Sequence, residues 1–294
     1  MNEPSMGCRV LSGEAGLWAV PIRAALAVGE LVYTAAINAR NGRYDSPQNV
    51  LAVPVPVISV GNITVGGTGK TPLVIELVRR LEKTGRNPAV VARGYGTAEG
   101  QRSDEELLVR KSCPSVAYVA DADRYGGAEL AVRRMGADTI VLDDGFQHRR
   151  LHRNLDIVLI DAMCPFGYGH VLPRGLLREP LSGLKRAHLL IITRSDQISR
   201  TDLERIEAAI RRHNSDAPVV RSRTKVIGVE HLDGTPIDAD DRKKKVLAFA
   251  AIARPQAFAS TLSSLGFEVV ATRWWPDHHA YRSDEIVRLL DDRR

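Results

Sequence analysis

The sequence predicts an α/β fold: a mostly parallel sheet flanked by helices, a smaller C-terminal α/β domain, and an amphipathic helix at the N-terminus. Three observations carry this. Short apolar runs ending in glycine, aspartate or threonine alternate with stretches of helical periodicity. A glycine-dense turn joins the first of these runs to an apolar-periodic helix. A polar, irregular segment from about Thr224 to Lys245 separates the last two runs from the others.

Residues 1–16 carry Gly, Ser, Glu and Pro without periodicity and are expected to be irregular. Leu17–Asn41 reads as a helix. Arg23, Glu30, Thr34 and Asn41 fall on one narrow stripe, and Trp18, Ala25, Val28, Val32 and Ala36 face the opposite way. Its uncharged stretches are shorter than the about 18 apolar residues that span a bilayer. It also lacks the basic start, compact apolar centre and cleavage site of a signal peptide. Such a helix either packs on the protein's own core or lies in a membrane interface with Trp18 as an anchor.

Val57–Leu73, VISVGNITVGGTGKTPL, is the stretch that organises the rest. Val57 to Val60 form a short buried strand, the glycine turn follows, and Lys70-Thr71-Pro72 opens a helix. Strand, glycine loop, Gly-Lys-Thr and helix together make the phosphate-binding loop (P-loop) of nucleotide-hydrolysing and kinase folds, so the sheet is P-loop NTPase-like. Thr64, Val65, Gly66, Gly67, Thr68 and Gly69 supply the backbone N–H cradle for the phosphates of ATP. Lys70 reaches the β- and γ-phosphate oxygens, and the Thr71 hydroxyl ligates Mg²⁺. One departure stands out: the consensus wants glycine where this chain has Thr64, and Gly61 lies further back.

Pro72–Lys83 reads as the helix after the loop, with Leu73, Leu77, Val78 and Leu81 on its buried face and Gly85 ending it. A strand over Pro88–Ala92 delivers Arg93-Gly94-Tyr95-Gly96 at its end. Val116–Val119 and Tyr125–Met135 read as strand and helix. Thr139–Asp143 is an apolar strand ending in aspartate, the form taken by the Mg²⁺ partner of a phosphate-binding loop. Asp143 would hold the ion directly or through water, with Asp144 beside it. Leu155–Ile160 and Leu189–Thr193 are further strands, and the Gly-, Pro- and Arg-rich loop Gly169–Pro180 between them is richer than a plain connection needs. Thr193-Arg194-Ser195-Asp196 sits where related folds read the nucleotide base, a helix N-cap being the plainer role for Ser195 or Asp196. After the linker, Val246–Ala251, Pro255–Leu265 and Phe267–Ala271 read as strand, helix and strand, leading to Trp274–Tyr281. His278 and His279 point apart in an extended segment, which disfavours a metal pair. A surface turn, or one histidine turned toward the nucleotide, remains.

The expected organisation is therefore residues 1–44, the N-terminal helix; 45–223, the P-loop core; 224–245, a linker; and 246–294, the small domain. Of the 294 residues 44% are hydrophobic and 26% charged, ordinary values for a folded soluble protein. A net charge of +6 fits anionic partners, but basic and aromatic residues are not interleaved, which argues against nucleic acid. Cys8, Cys113 and Cys164 share no ligand spacing, which fits a reducing compartment without structural zinc or disulfides.

The chain resembles the tetraacyldisaccharide 4′-kinases of lipid A biosynthesis. The resemblance rests on VGNITVGGTGKTPLV (Val60–Val74), ARGYG (Ala92–Gly96), DDGFQHRRL (Asp143–Leu151), LPRGLLREP (Leu172–Pro180), AIARPQAF (Ala251–Phe258) and PDHHAY (Pro276–Tyr281), in that order. It implies ATP and Mg²⁺ as cofactors, transfer of the γ-phosphoryl group to the 4′-hydroxyl of a lipid A disaccharide 1-phosphate, and work at the cytoplasmic face of the bacterial inner membrane. It moves the Leu17–Asn41 helix toward the membrane reading. By motif, Asp104 matches the family's catalytic aspartate and His278 a histidine that assists it. Asp143, Asp144, Gln147, Arg178 and Glu179 match residues lining the active site. The family has Gly-Asp-Glu-Pro where this chain has Ser103-Asp104-Glu105-Glu106. It also continues to a Thr-Glu-Lys-Asp segment where this chain ends at Arg294, so the small domain either closes differently or is shortened. A switch ATPase of the septum-placement and partitioning class would carry lysine in place of Val65. A metal-insertion module would want a Cys/His cluster. A kinase of a small soluble acceptor is the nearest rival among enzymes.

Overall fold

The computed structural model describes residues 6–94, 102–238, 240–252, 255–276 and 279–291. The chain divides into two units, Met1–Thr224 and Lys225–Arg294. The first is built on seven strands: β1 (Val57–Asn62), β2 (Pro88–Ala92), β3 (Ala117–Ala120), β4 (Thr139–Asp143), β5 (Leu155–Asp161), β6 (Leu189–Thr193) and β7 (Val219–Arg221). They pair in the order β3-β2-β4-β1-β5-β6-β7, each pairing parallel. A parallel sheet is covered on both faces, which is why β2, and β4 between Thr139 and Asp143, are apolar without alternation and both strands are buried throughout. β1 sits at the centre, its Val60 opposite Asp143, so the glycine loop and the aspartates leave the same edge of the sheet side by side.

The helices of this unit are α1 (Met6–Ser12), α2 (Val20–Arg43), α3 (Lys70–Lys83), α4 (Asp104–Ser112), α5 (Arg124–Met135) and α6 (Arg200–His213). α3 buries Val74, Ile75 and Val78 against the sheet, with Leu73, Leu77 and Leu81 partly covered beside them. It starts earlier than the apolar pattern indicates, because Gly69 rather than Pro72 ends the loop. Residues 1–16 are not wholly irregular: α1 forms there and Val10 packs with Ala15 and Ala19. α6 is capped by Ser199, whose hydroxyl accepts from the Asp202 N–H at 3.1 Å, so neither Ser195 nor Asp196 caps a helix.

α2 is amphipathic with its polar stripe inward. Glu30 accepts from the Val171 N–H (2.9 Å) and from Arg174 Nη1 (3.3 Å), and its carboxylate pairs with His170 Nδ1 at 3.2 Å. Tyr33 donates to the Arg178 carbonyl at 3.1 Å, Arg40 to the Gln147 carbonyl at 3.0 Å and Asn41 to Glu179 Oε2 at 3.0 Å. The opposite face leaves Val28, Leu31 (72% exposed) and Val32 uncovered, as it does Leu17 and Trp18 in the preceding turn. By length and composition the stretch Leu17–Arg43 is long and apolar enough to cross a membrane, with a mean hydropathy of 1.5 in its most apolar window. The expectation from uncharged runs alone was therefore too strict, since Arg23 and Glu30 interrupt the run without ending the helix.

The second unit pairs β8 (Lys245–Ala250) with β9 (Glu268–Trp274) in parallel and adds α7 (Pro255–Ser264) and α8 (Ser283–Asp291). Trp275 and Tyr281 pack edge-on with Phe249, and the His279 ring stacks on Trp275 at 6.0 Å between centroids. Glu285 accepts from Trp275 Nε1 (3.1 Å) and the Arg282 N–H (2.9 Å) and pairs with His279 Nε2 at 2.9 Å. His279 is thus committed to the packing of this unit.

Candidate active site

The glycine loop runs from the end of β1 to the head of α3. Gly66 (φ 110°) and Gly69 (φ 88°) adopt left-handed backbone, which a side chain would strain, and this opens the loop's concave turn. Gly61 serves a different purpose. A Cβ there would lie 2.6 Å from that of Phe146, so its glycine is a packing requirement and not a displaced loop glycine. Lys70, first residue of α3, places Nζ 3.2 Å from Asn62 Oδ1 and 3.4 Å from Asp144 Oδ1. Asn62 in turn donates to the Thr64 carbonyl at 2.7 Å. Thr71 follows in the first turn.

Asp143 ends β4 and is 5% exposed. Burial pushes its carboxyl up to about 6; Lys70 pulls the other way, and the neighbouring Asp144 and Glu105 carboxylates add to the rise. At Asp144 burial also opposes the charge, but Lys70 and Arg178 outweigh it and hold the carboxyl below the usual range. Two adjacent carboxylates are driven apart in acidity by their surroundings, a pattern common at catalytic sites. Asp144 holds φ at 55°, a left-handed conformation that is strained for an aspartate.

The rich loop between β5 and β6 lies directly against the phosphate-binding segment. The Val65 N–H, expected in the phosphate cradle, instead donates to the Leu176 carbonyl, and the Arg178 N–H donates to the Ile63 carbonyl, both at 2.8 Å. Arg178 Nη1 then reaches Asp144 Oδ2 at 2.7 Å. Gln147 donates through Nε2 to the Asn62 carbonyl (2.9 Å) and to Glu179 Oε1 (3.1 Å). Glu179 is 1% exposed and also accepts from Arg186 Nη2 at 2.8 Å, besides the bond from Asn41. Its carboxylate thus ties Gln147 and α2 together. Lys70, Asp144, Arg178, Gln147 and Glu179 are linked by ion pairs and hydrogen bonds, with the charges of Lys70 and Asp144 acting on Asp143.

Asp104 opens α4. Ser103 is the N-cap, its hydroxyl accepting from the Glu106 N–H at 3.2 Å, and Glu106 binds Arg110 Nε at 2.7 Å. The departure from Gly-Asp-Glu-Pro therefore supplies a helix cap. α4 begins close enough to β4 for Glu105 to raise Asp143. His278, Tyr95 and Gly96 lie outside the described residues. Two site residues escaped the sequence reading. Asn62 has no signal apart from its place before the glycine turn. Arg124, at the head of α5, is 3% exposed, and its charge interacts with Asp143 and Asp144.

The donor set suits a hard divalent cation: a buried carboxylate held high by burial, a second carboxylate and a threonine hydroxyl, with phosphate oxygens and water to complete the shell. What this edge of the sheet can do chemically is bind a nucleoside triphosphate through backbone N–H groups and Lys70, and stabilise charge on a transferring phosphoryl group.

Comparison with known proteins agrees. The family model of the tetraacyldisaccharide-1-P 4′-kinases (LpxK) matches residues 22–294. The chain is 40% identical to the tetraacyldisaccharide 4′-kinase of Anaeromyxobacter sp. (strain Fw109-5), over 97% of this chain and 80% of that one. It is 39% identical to the kinase of the same name from Geobacter metallireducens, over 93% and 84%. Among solved structures it is similar to "apo" form LpxK from Aquifex aeolicus in complex with ATP, with a TM-score of 0.68, 30% identity, and coverage of 89% of this chain and 84% of that one. With a match across nearly its whole length and a P-loop cluster assembled from the shared motifs, the chain belongs to the tetraacyldisaccharide-1-phosphate 4′-kinase family.

Proposed function

We propose that this protein transfers the γ-phosphoryl group of ATP, with Mg²⁺, to the 4′-hydroxyl of a tetraacyldisaccharide 1-phosphate, working as a peripheral or monotopic protein at the cytoplasmic face of the inner membrane. The observation that carries the acceptor class is α2: polar side chains dock it on the core beside Gln147, Arg178 and Glu179, while Val28, Leu31 and Val32 face outward. A helix moored along its polar stripe lies in an interface and does not cross it. A kinase of a small soluble acceptor has no use for such a face.

Lys70 neutralises phosphate charge as it shifts in transfer. Asp143 and the Thr71 hydroxyl would hold the divalent cation, which would add to the stabilisation of the same charge. Arg178 fixes Asp144, and Gln147 with Glu179 keeps Arg178 and Asn62 in place. Asp104 takes the proton of the attacking hydroxyl, with His278 assisting. An aspartate suffices although a free aspartyl side chain titrates at about pH 3.9, because the hydroxyl becomes more acidic as it attacks.

The test is whether purified protein moves labelled γ-phosphate from ATP to a lipid disaccharide 1-phosphate in mixed micelles. Release of label only to water would overturn the reading. The Asp104–His278 assignment is checked by a double-mutant cycle on kcat with Asp104→Ala and His278→Ala. Residues acting together give a double mutant little worse than the poorer single, whereas losses that multiply cleanly mean independent action.

A further inference from the structure

We propose that Thr193 and Arg194, at the end of β6, are positioning residues that aim the backbone N–H groups of Thr68 and Gly69 into the phosphate cradle. The inference rests on the nucleotide site described above. Thr193 Oγ1 donates to the Thr68 carbonyl at 3.1 Å, and Arg194 Nη2 donates to the Gly67 carbonyl at 2.8 Å. Two consecutive side chains from one strand end thus grip two consecutive carbonyls of the loop.

In a planar trans peptide the C=O and the following N–H point in opposite directions. Holding the Gly67 carbonyl toward Arg194 turns the Thr68 N–H the other way, and holding the Thr68 carbonyl toward Thr193 does the same for the Gly69 N–H. A glycine-rich loop is free to rotate these planes, so without the grip its donors would be spread over many directions. An anion nest depends on donors that converge before the ligand arrives.

The grip is itself anchored. Arg194 Nε donates to Asp161 Oδ1 at 2.9 Å and Nη2 lies 2.7 Å from Oδ2, with Asp161 buried at the end of β5. Asp161 also accepts from the Met163 N–H at 3.1 Å, so the carboxylate is fixed by its own turn. Arg194 holds φ at 55°, a strained left-handed backbone for an arginine. Ser195 completes the anchor by donating to the Ser222 carbonyl through both its N–H (3.1 Å) and its hydroxyl (3.0 Å). The arginine in the segment expected to face the base is therefore turned under the loop instead.

The experiment measures ATP affinity by titration calorimetry, KM for ATP and for lipid, kcat, and thermal midpoint for Thr193→Val, Thr193→Ser, Arg194→Ala and Lys70→Ala. Thr193→Val is close in shape and lacks only the hydroxyl. It is expected to weaken ATP binding several-fold, about 3- to 10-fold for one neutral hydrogen bond. Thr193→Ser should restore binding, and Arg194→Ala should lose about 10-fold or more. KM for lipid should stay within two-fold, on the order of experimental scatter for a site the change does not touch. ATP affinity unchanged in Thr193→Val and Arg194→Ala, or equal loss in Thr193→Ser and Thr193→Val, overturns the inference. Should Arg194→Ala fail to fold, the Thr193 pair decides alone. Wild-type protein that binds no ATP, with Lys70→Ala indistinguishable from it, overturns the nucleotide site itself.

Discussion

Helices α2 and α3 follow opposite plans. α3 turns Val74, Ile75 and Val78 to the sheet and its charged residues Glu76 and Arg80 to water. α2 turns Glu30, Tyr33 and Asn41 to the protein and Val28, Leu31 and Val32 away from it. Both have two-sided sequences, and on a helical wheel they differ little in kind. Apolar surface left in water forfeits about 25 cal/mol per Å², so the outer face of α2 suits the membrane contact proposed above. The inner seam explains why the helix stays with the core, since its polar groups find partners there that lipid would deny them.

The largest expected effects lie where the head of α3 meets the end of β4. Lys70→Ala removes a point charge from the transferring phosphoryl group, and Asp143→Ala removes a carboxylate from the cation site. Each should lower kcat by about 10²-fold or more if electrostatic stabilisation dominates. Changes on the outer face of α2 should leave kcat on micelle-dispersed lipid nearly untouched. Activity within a few-fold of wild type for both variants would break this half of the comparison.

Placing the same residue on the two helices sharpens it. Val78→Asp buries an unpaired charge against the sheet and should cost more than about 4 kcal/mol, read as loss of the urea transition or of soluble protein. Leu31→Asp on α2 should change stability by no more than about 0.5 kcal/mol, yet reduce co-sedimentation with anionic phospholipid vesicles and raise KM for lipid. If Leu31→Asp unfolds the protein, the exposed face is a core face and the membrane assignment fails. If it folds and still sediments with vesicles, α2 is not the contact.

The contrast also shows where sequence reading stops. The glycine loop, Lys70 and the strand ending in Asp143 were legible because their chemistry is local: a turn that needs left-handed backbone, a lysine at a helix head, a carboxylate at a strand end. The polarity sense of α2 was not, because a wheel shows two faces without showing which is covered. α6 escaped notice because Leu203, Ile206 and Ile210 are its only buried residues, set among charges that dominate the pattern. The supports of the site were hidden for another reason. Asn41 and Glu179, or Thr193 and Thr68, meet only through the fold, and nothing in the local sequence of either marks the other.

The smallest effect concerns protons in the polar seam under α2, which the apolar contact of α3 cannot reproduce. His148 follows Gln147, and its Nε2 is buried without a hydrogen-bond partner among the described residues. Burial first, then Arg124, Arg40 of α2 and Arg153, push its pKa down to about 4, against the opposing pull of Asp123. A group whose acidity is raised by folding binds its proton more readily in the unfolded chain. The stability it contributes is therefore complete above the unfolded value of about 6.5 and is lost as pH falls toward 4. The ring is only partly enclosed, so the swing is about 1–2 kcal/mol and not the larger figure full burial would give. Asp143, whose carboxyl is raised to about 6, stabilises the fold as it takes up a proton over the same range, so the His148 contribution is the downward slope of the urea midpoint from pH 7 to pH 5 in an Asp143→Asn background. His148→Asn should flatten that slope, and Arg40→Gln should soften it, because the α2 arginine is one of the charges that disfavour protonation. An equal slope in that background with and without His148→Asn would mean the seam carries no titrating group in this range, and the two helices would then differ in polarity alone.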